Sequence, residues 1–254
     1  MKNVARIICL LSLTFSAYAQ AAINNSDVKN ALLQRYMLNN DKTQMASLKS
    51  ETLKHGGESV AALIEVMKNG KYPDKNRWMA TFLLGQIMGD KSAPFLSKFL
   101  KHPHWVMRMA SLKTMLALKQ RGYSQQYASL LKDDSFIVRA QALDNIRTLK
   151  TVDAAPQVWA MLYDKKNYYQ PTMNGKALKA KRSNIIKSVI TTVGELKFEK
   201  ARQPLLKMIQ KERYNDIFPE MDASLAKITG QKSPNGDMSK KRIFWQRMAL
   251  NTTI

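Results

Sequence analysis

Hydrophobic positions recur along residues 73–164 with a constant spacing of 31 residues. The columns of apolar or small side chains that keep this spacing are Leu84, Met115 and Ile146; Ile87, Leu118 and Leu149; Ala80, Ser111 and Ala142; and Leu100, Leu131 and Leu162. The first three columns have helical spacing within each copy, and the fourth belongs to a second helical segment. A period of roughly twenty to fifty residues is typical of solenoids, whose units bury their apolar faces against one another. The pattern therefore predicts three stacked helical hairpins.

Similar periodicity extends to both sides of these hairpins. Before them it predicts helices over residues 27–38 and 43–54, and residues 58–68 complete a degenerate first repeat. The helical segments predicted after them lie at residues 179–195, 201–209, 216–228 and 240–250. We therefore predict an all-α fold, a right-handed α-solenoid of about five or six stacked helical hairpins.

A column of arginines is the most regular polar feature of the repeat. Arg77, Arg108 and Arg139 follow the same spacing of 31 residues as the apolar columns. An arginine at one fixed position in each repeat can donate to carboxylates or carbonyls of its own or a neighbouring turn. We interpret this column as a structural ladder, and direct contact with a ligand is the alternative.

The third copy resembles a known repeat family. It reads Val138-Arg139-Ala140 followed by Ala142 and Leu143, and Asp133 stands in the preceding turn. This combination resembles HEAT-like repeats of the short bacterial type, in which a turn aspartate precedes a Val-Arg pair. The first two copies keep the arginine but lack the valine before it. The resemblance implies helical hairpins and a binding scaffold, because repeats of this kind specify architecture rather than chemistry.

A basic loop insertion at about residues 165–178 interrupts the repeat. The stretch has no helical periodicity and contains Pro171 and Gly175. The candidate binding residues of this region are Lys165, Lys166, Tyr168, Tyr169, Lys176, Lys179, Lys181 and Arg182. Cations beside exposed aromatic rings suit an anionic ligand such as a glycan phosphate or single-stranded nucleic acid. The alternative is a solvated loop whose tyrosines pack locally.

The overall charge also favours anionic partners. Lys and Arg number 41 against 19 Asp and Glu, which gives a formal charge of +22 and a pI near 10.0. This surplus predicts attraction to anionic polymers and surfaces. Lysines at the ends of the second helices, which usually line the concave face of a solenoid, are Lys98, Lys101, Lys132 and Lys211. They form either a basic concave stripe or ordinary solvated positions.

Residues 1–19 are typical of a secretory signal peptide. Lys2 and Arg6 form a positive start, an apolar run follows, and Ala17-Tyr18-Ala19 predicts cleavage after Ala19. We therefore expect an exported protein, periplasmic or secreted. Export makes nucleic acid an unusual target, so a protein partner or an anionic polymer or membrane surface of the envelope is favoured.

The remaining chain is expected to form one repeat domain with a short appendage. We place the α-solenoid at residues 20–230 and a polar linker with a basic capping helix at 231–254. Phe244 and Trp245 lie among basic residues, so contact with an anionic membrane is the alternative to packing on the last repeat. The only cysteine, Cys9, lies in the predicted signal, so a mature chain would have neither a disulfide nor a cysteine nucleophile.

The sequence carries no recognisable catalytic or cofactor motif. Gly-x-Ser-x-Gly, His-Glu-x-x-His, Walker and Gly-x-Gly-x-x-Gly patterns are all missing from it. His102 and His104 in one turn, with Asp133 and Asp134 in the next, are weak evidence for a metal, and we expect no metal and no cofactor. We therefore predict a non-enzymatic scaffold that binds a protein or anionic partner. A hydrolase or lyase with its site in the concave groove is the alternative from another functional class.

Overall fold

A computed structural model describes residues 26–169, 171–173, 176–177 and 181–250. The signal peptide predicted at residues 1–19 lies outside these residues and stays a prediction. Two compact units divide the chain, one ending at Leu118 and the other beginning at Lys119, and each has its own core. Within the described ranges, no helix is both long and apolar enough to cross a membrane.

The first unit is a series of helices joined by short turns. Its helices are α1 (26–37), α2 (Lys42–His55), α3 (Val60–Lys68), α4 (Asp74–Met88), α5 (Ala93–Phe99) and α6 (Trp105–Ala117). Helix α2 begins where the sequence predicts, because the Asp41 carboxylate accepts a hydrogen bond from the Gln44 backbone N–H and the Gln44 side-chain oxygen accepts one from the Asp41 backbone N–H, both at 2.8 Å. Helix α4 packs against α2, α3 and α6, and is the centre of this unit.

The second unit repeats the pattern and adds a C-terminal helix. Its helices are α7 (Ser124–Leu130), α8 (Phe136–Leu149), α9 (Ala155–Ala160), α10 (Asn184–Glu195), α11 (Arg202–Ile209), α12 (Phe218–Thr229) and α13 (Met238–Leu250). Helix α10 packs against α8, α9 and α12, while α11 packs against α12 and α13. Within each unit, the long helices α4 and α10 therefore contact helices on both sides of them along the chain.

The apolar columns of the sequence form the cores of the hairpins. Leu84, Met115 and Ile146 are all fully buried, as are the small side chains of Ala80 and Ala142. Residues 73–164, which the structure describes throughout, contain helices and turns and no strand. The predicted fold class, an all-α solenoid of helical hairpins, is confirmed.

The insertion differs from the predicted loop because it forms a short hairpin arm. Its strands are β1 (Tyr168–Tyr169), β2 (Thr172–Met173), β3 (Lys176–Ala177) and β4 (Lys181–Arg182). Strand β1 pairs with β4 and β2 pairs with β3, both antiparallel. The sequence-based start of a helix at residue 179 is therefore wrong. Helix α10 begins at Asn184 because β4 is paired with β1 and because the Ser183 amide and hydroxyl both donate to the Asn167 carbonyl.

Helix α13 packs on α11 and buries one large side chain. Trp245 is fully buried and donates its indole N–H to the Asp222 carboxylate at 2.8 Å. Asp222 also accepts hydrogen bonds from Ser233 at 2.7 Å and from Lys241 at 2.6 Å. Burial alone would raise the pKa of Asp222, but these three donors outweigh it and the pKa is lowered. Asp222 is thus the polar anchor of α13.

The anchor predicts a specific pH dependence. Replacing Asp222 by Asn should lower the free energy of unfolding by about 2 kcal/mol at pH 7, because charge-assisted hydrogen bonds are lost. A carboxyl whose folded pKa is depressed contributes stability above its unfolded pKa, and loses it as the pH falls through the folded pKa. The difference from wild type should therefore shrink as the pH drops below 3.8, the ordinary value of this group. Urea titrations of both proteins at several pH values measure this difference in unfolding free energy. A difference that stays constant down to low pH would contradict the prediction.

Candidate functional site

The arginine ladder binds main-chain carbonyls at the turns between hairpins. Arg139 is 3% exposed and donates to the carbonyls of Asp133 at 2.7 Å, Asp134 at 3.0 Å and Lys166 at 2.9 Å. Its Nε donates to the Asn167 side chain at 3.0 Å. The guanidinium thus ties the turn before α8, which contains the predicted turn residue Asp133, to the start of the hairpin arm.

The other two arginines also contact main-chain carbonyls. Arg108 donates to the carbonyls of His102 and Pro103, each at 2.8 Å. Arg77 is also 3% exposed and donates to the Met67 carbonyl at 3.1 Å, and it lies 3.4 Å from His102 Nε2. All three side chains are engaged with the protein itself, as the ladder interpretation expects of structural arginines.

The histidine turn is also occupied by internal contacts. His102 Nδ1 accepts a hydrogen bond from the His104 backbone at 3.0 Å. Burial and the nearby Arg77 guanidinium lower the pKa of His102, so this ring is neutral near pH 7. In the part of the chain that the structure describes, no three His, Cys, Asp or Glu side chains form a group that could hold a metal ion.

A cavity with polar and aromatic lining lies at the base of the hairpin arm. The pairing of β1 with β4 sets Tyr168 opposite Arg182 and Tyr169 opposite Lys181. These four residues and three from the turn after α11 line a cleft of about 650 Å³. We call this the aromatic cleft, and its lining residues are Tyr168, Tyr169, Lys181, Arg182, Arg213, Tyr214 and Asp216. The strand pairing therefore collects four of the predicted binding residues at one site.

Two guanidinium groups contact the same tyrosine ring in this cleft. The Arg182 guanidinium carbon lies 4.7 Å from the centre of the Tyr214 ring, and that of Arg213 lies 4.9 Å from it. Arg182 also donates to both carboxylate oxygens of Asp216, at 2.9 and 3.1 Å. Among the described residues, neither Lys181 nor Arg213 has an acidic partner, so two cations remain for a ligand.

Tyr168 forms the border between this cleft and a deeper, more apolar cavity. Its hydroxyl donates to the Leu162 carbonyl at 2.6 Å, and burial raises its pKa although the Arg182 charge opposes the rise. The neighbouring cavity of about 270 Å³ shares Tyr168, Arg182 and Tyr214 and continues to Met208 and Ile217. In contrast, Tyr169 is 52% exposed, so its ring is available to a ligand. The site thus combines an apolar floor with a cationic entrance.

The remaining predicted residues of the insertion do not line the cleft. Lys165 and Lys176 are exposed, and Lys166 forms a 2.6 Å ion pair with Asp134 that raises the pKa of its ammonium group. Lys179 lies outside the described residues. The structure therefore separates the sequence-predicted set into cleft residues and solvated or paired lysines.

The predicted lysine stripe stays a prediction. Lys98 is exposed on α5, and Lys101 is exposed in the turn that follows it. In the second unit, Lys132 and Lys211 are exposed in the turns after α7 and α11. Each occupies the end of a second helix, as expected, but none lines the aromatic cleft.

Three cleft residues were not found from the sequence. Arg213, Tyr214 and Asp216 belong to the irregular segment Glu212–Ile217, which overlaps only the first two residues of the helix predicted at 216–228. The repeat architecture could have indicated them, because the turn after one hairpin's second helix lies beside the corresponding turn of the next hairpin. The insertion occupies the turn after α9, so the turn after α11 is its expected neighbour.

A comparison with protein families identifies the repeats. The family model described as HEAT repeats matches residues 60–147, the stretch from α3 to the last turn of α8. This confirms the resemblance drawn from the Val-Arg pattern, and all three ladder arginines lie inside the matched residues. None of the curated proteins that were compared matches the chain.

Proposed function

We propose that this chain, which contains HEAT-like helical repeats over residues 60–147, is an exported, non-enzymatic scaffold that holds an acidic segment of a protein partner in the aromatic cleft. HEAT repeats form helical scaffolds that commonly mediate protein interactions, which favours a protein over other partners. Export is supported by the signal-like residues 1–19 and by a repeat domain without cysteine.

One observation carries the proposal: Tyr214 lies between two guanidinium groups at the mouth of a cleft that has spare positive charge. Asp216 forms an ion pair with Arg182, whose guanidinium also contacts the Tyr214 ring. Arg213 and Lys181 have no acidic partner among the described residues. A carboxylate entering the cleft can therefore pair with Arg213 and Lys181. An adjacent apolar or aromatic side chain of the same segment can pack on Tyr169 and Tyr214.

The chemistry of the cleft favours binding over turnover. Among the described residues its lining contains no Ser, Cys or His and a single carboxylate, Asp216, which Arg182 holds. The phenol of Tyr168 donates to a main-chain carbonyl and has a raised pKa, which opposes a role as a base near neutral pH. These features favour the non-enzymatic scaffold over the enzyme alternative.

We expect removal of the two unpaired cations to weaken binding of an acidic peptide. The double variant Lys181→Gln with Arg213→Gln should bind a fluorescein-labelled oligoglutamate peptide containing two tyrosines about tenfold more weakly than wild type in fluorescence anisotropy. The matched control is Lys200→Gln with Lys232→Gln, which removes the same charge from exposed positions outside the cleft. Lys165→Ser with Lys166→Ser should also retain wild-type affinity, because neither side chain lines the cleft.

Further arms of the experiment identify the partner class. Tyr214→Leu should weaken binding of the tyrosine-containing peptide more than binding of a plain oligoglutamate, because only the first peptide can pack on the Tyr214 ring. Equal losses in the cleft variant and the matched control would show nonspecific charge attraction and overturn the proposal. If the protein bound heparin more tightly than the acidic peptide, the partner would be an anionic polymer and not a protein. If the protein converted any compound of a metabolite panel, it would be an enzyme and the scaffold proposal would be wrong.

A further inference from the structure

A second cavity, along α13, is lined by apolar and basic residues. It has a volume of about 590 Å³. We call it the outer groove, and its principal lining residues are Ile243, Phe244, Met248, Arg202, Lys240 and Arg247. It lies on different residues from the aromatic cleft and does not depend on the function proposed for that cleft.

Helical geometry explains why α13 leaves this face uncovered. The helix is anchored through Lys241, Arg242 and Trp245, with Arg242 donating to the Ile209 carbonyl at 2.9 Å. Residues three or four positions apart share a helix face, so the anchoring residues occupy one side and Ile243 and Arg247 occupy another. Ile243 is 50% exposed, a large value for a side chain of its kind. The apolar groups that α13 does not use for its own docking therefore face solvent.

The charges around the outer groove are all of one sign. Helix α13 contains four basic residues and no acidic residue. In the described part of the chain, the side chains of Lys240 and Arg247 have no acidic partner, in contrast to Lys241, which pairs with Asp222. The Nε atom of Arg202 is buried and has no hydrogen-bond partner among the described residues. The Arg202 guanidinium therefore keeps a donor that the described residues do not use.

We propose that the outer groove docks an acidic amphipathic helix of a protein partner. Apolar side chains of that helix enter between Ile243, Phe244 and Met248, while carboxylates on its flanks reach Arg202, Lys240 and Arg247. The uncovered part of α13 spans about ten residues, or roughly 15 Å, which matches about three turns of a partner helix. Such a helix presents apolar positions every three or four residues, and these fit the spacing along the groove.

Charge and shape distinguish this occupant from two others. A second copy of this chain would bring like charges together, because the protein carries a net charge of +22. A lipid surface is broad and offers no protruding side chains, whereas the groove is a cavity that receives them. An acidic helix satisfies both the empty apolar volume and the unpaired cations.

The experiment compares designed helical peptides against single substitutions in the full protein. The probe is a fluorescein-labelled peptide of three to four turns with leucines on one face and glutamates on both flanks, made in several registers. One control peptide has lysine for glutamate, and another has the same residues in scrambled order. Ile243→Asp, at an exposed position, should lower the affinity about tenfold or more and leave the circular dichroism spectrum unchanged.

Two variants that change the charge equally separate the groove from the general field of the protein. Arg247→Gln and Gln246→Glu each make the chain more negative by one charge on the same helix, but only Arg247 lines the groove. We expect Arg247→Gln to weaken the acidic peptide several-fold and Gln246→Glu to change its affinity less than twofold. The cleft variant Lys181→Gln with Arg213→Gln should bind this peptide as wild type does, whatever happens at the cleft.

Three outcomes would overturn the proposal. The first is the absence of saturable binding in every register of the acidic peptide, or equal binding of the scrambled control. The second is binding to phosphatidylglycerol vesicles that Ile243→Asp abolishes while the peptides do not bind, which would assign the face to a membrane. The third is a dimer in sedimentation experiments that Ile243→Asp dissociates, which would assign it to a second copy.

Discussion

Gly194→Ala is expected to lower the free energy of unfolding by about 3 kcal/mol, although alanine is ordinarily the better residue inside a helix. A Cβ at position 194 would lie 2.6 Å from the Ser224 hydroxyl oxygen and 2.7 Å from the Ser224 Cα. The obstacle includes backbone, so a rotamer change cannot remove it. Helices α10 and α12 would have to separate, and the hydrogen bond from Ser224 to the Ile190 carbonyl at 2.8 Å would be strained.

Urea denaturation followed by circular dichroism measures this effect. The matched control is Gly122→Ala, because a Cβ at position 122 meets no atom within 4 Å and the substitution should be nearly neutral. Ser224→Ala should not restore Gly194→Ala, since the Cα of residue 224 remains in the way. A neutral or stabilising Gly194→Ala would show that the two helices do not approach as closely as described here.

Replacing Arg139 by Met is expected to cost about 4 kcal/mol, the largest loss for any single side chain of the ladder. The guanidinium satisfies three main-chain carbonyls and the amide oxygen of Asn167, and Met supplies volume but no donor. Acceptors left buried without a partner account for most of the loss. The start of the hairpin arm should also be released, because two of the four hydrogen bonds of Arg139 go to Lys166 and Asn167.

The control for this prediction is another arginine on the same helix. Arg147 is exposed, and its ion-pair partner in the described part of the chain is Asp144, at 2.7 Å, so Arg147→Met should cost less than about 1 kcal/mol. Arg139→Lys should not recover wild-type stability, because an ammonium group cannot reproduce the planar set of donors. Similar losses for Met at positions 139 and 147, measured by the same urea titrations, would argue against a ladder built on hydrogen bonds.

The regular part of the fold could be predicted because its information is repeated along the chain. Three aligned copies make Leu84, Met115 and Ile146 visible as one position, and the arginine column shares their period. The start predicted for α10, residue 179, is wrong because the insertion is not repeated along the chain. Strands of two residues, such as Tyr168–Tyr169, are too short to show alternation, and their pairing depends on residues far along the sequence.

The candidate site was predicted in part, and the missing part is nonlocal. Tyr168, Tyr169, Lys181 and Arg182 were found because cations and aromatic rings are concentrated in one stretch. The opposite wall comes from Glu212–Ile217, about 30 residues away in sequence, which is ordinary in composition and becomes relevant only after the hairpins stack. Composition also could not show that Lys166 is already paired with Asp134.

The ion pair of Arg182 with Asp216 has a consequence for recognition at the aromatic cleft. It joins strand β4 to the turn after α11 before any ligand arrives, and the contact of Arg182 with the Tyr214 ring holds the same two segments together. If the cleft binds an acidic segment, as proposed, that segment has to order its own chain but not the walls that receive it, so less conformational entropy would be lost on association. Preorganisation of this kind would favour acidic sequences that fit the cleft in shape as well as in charge.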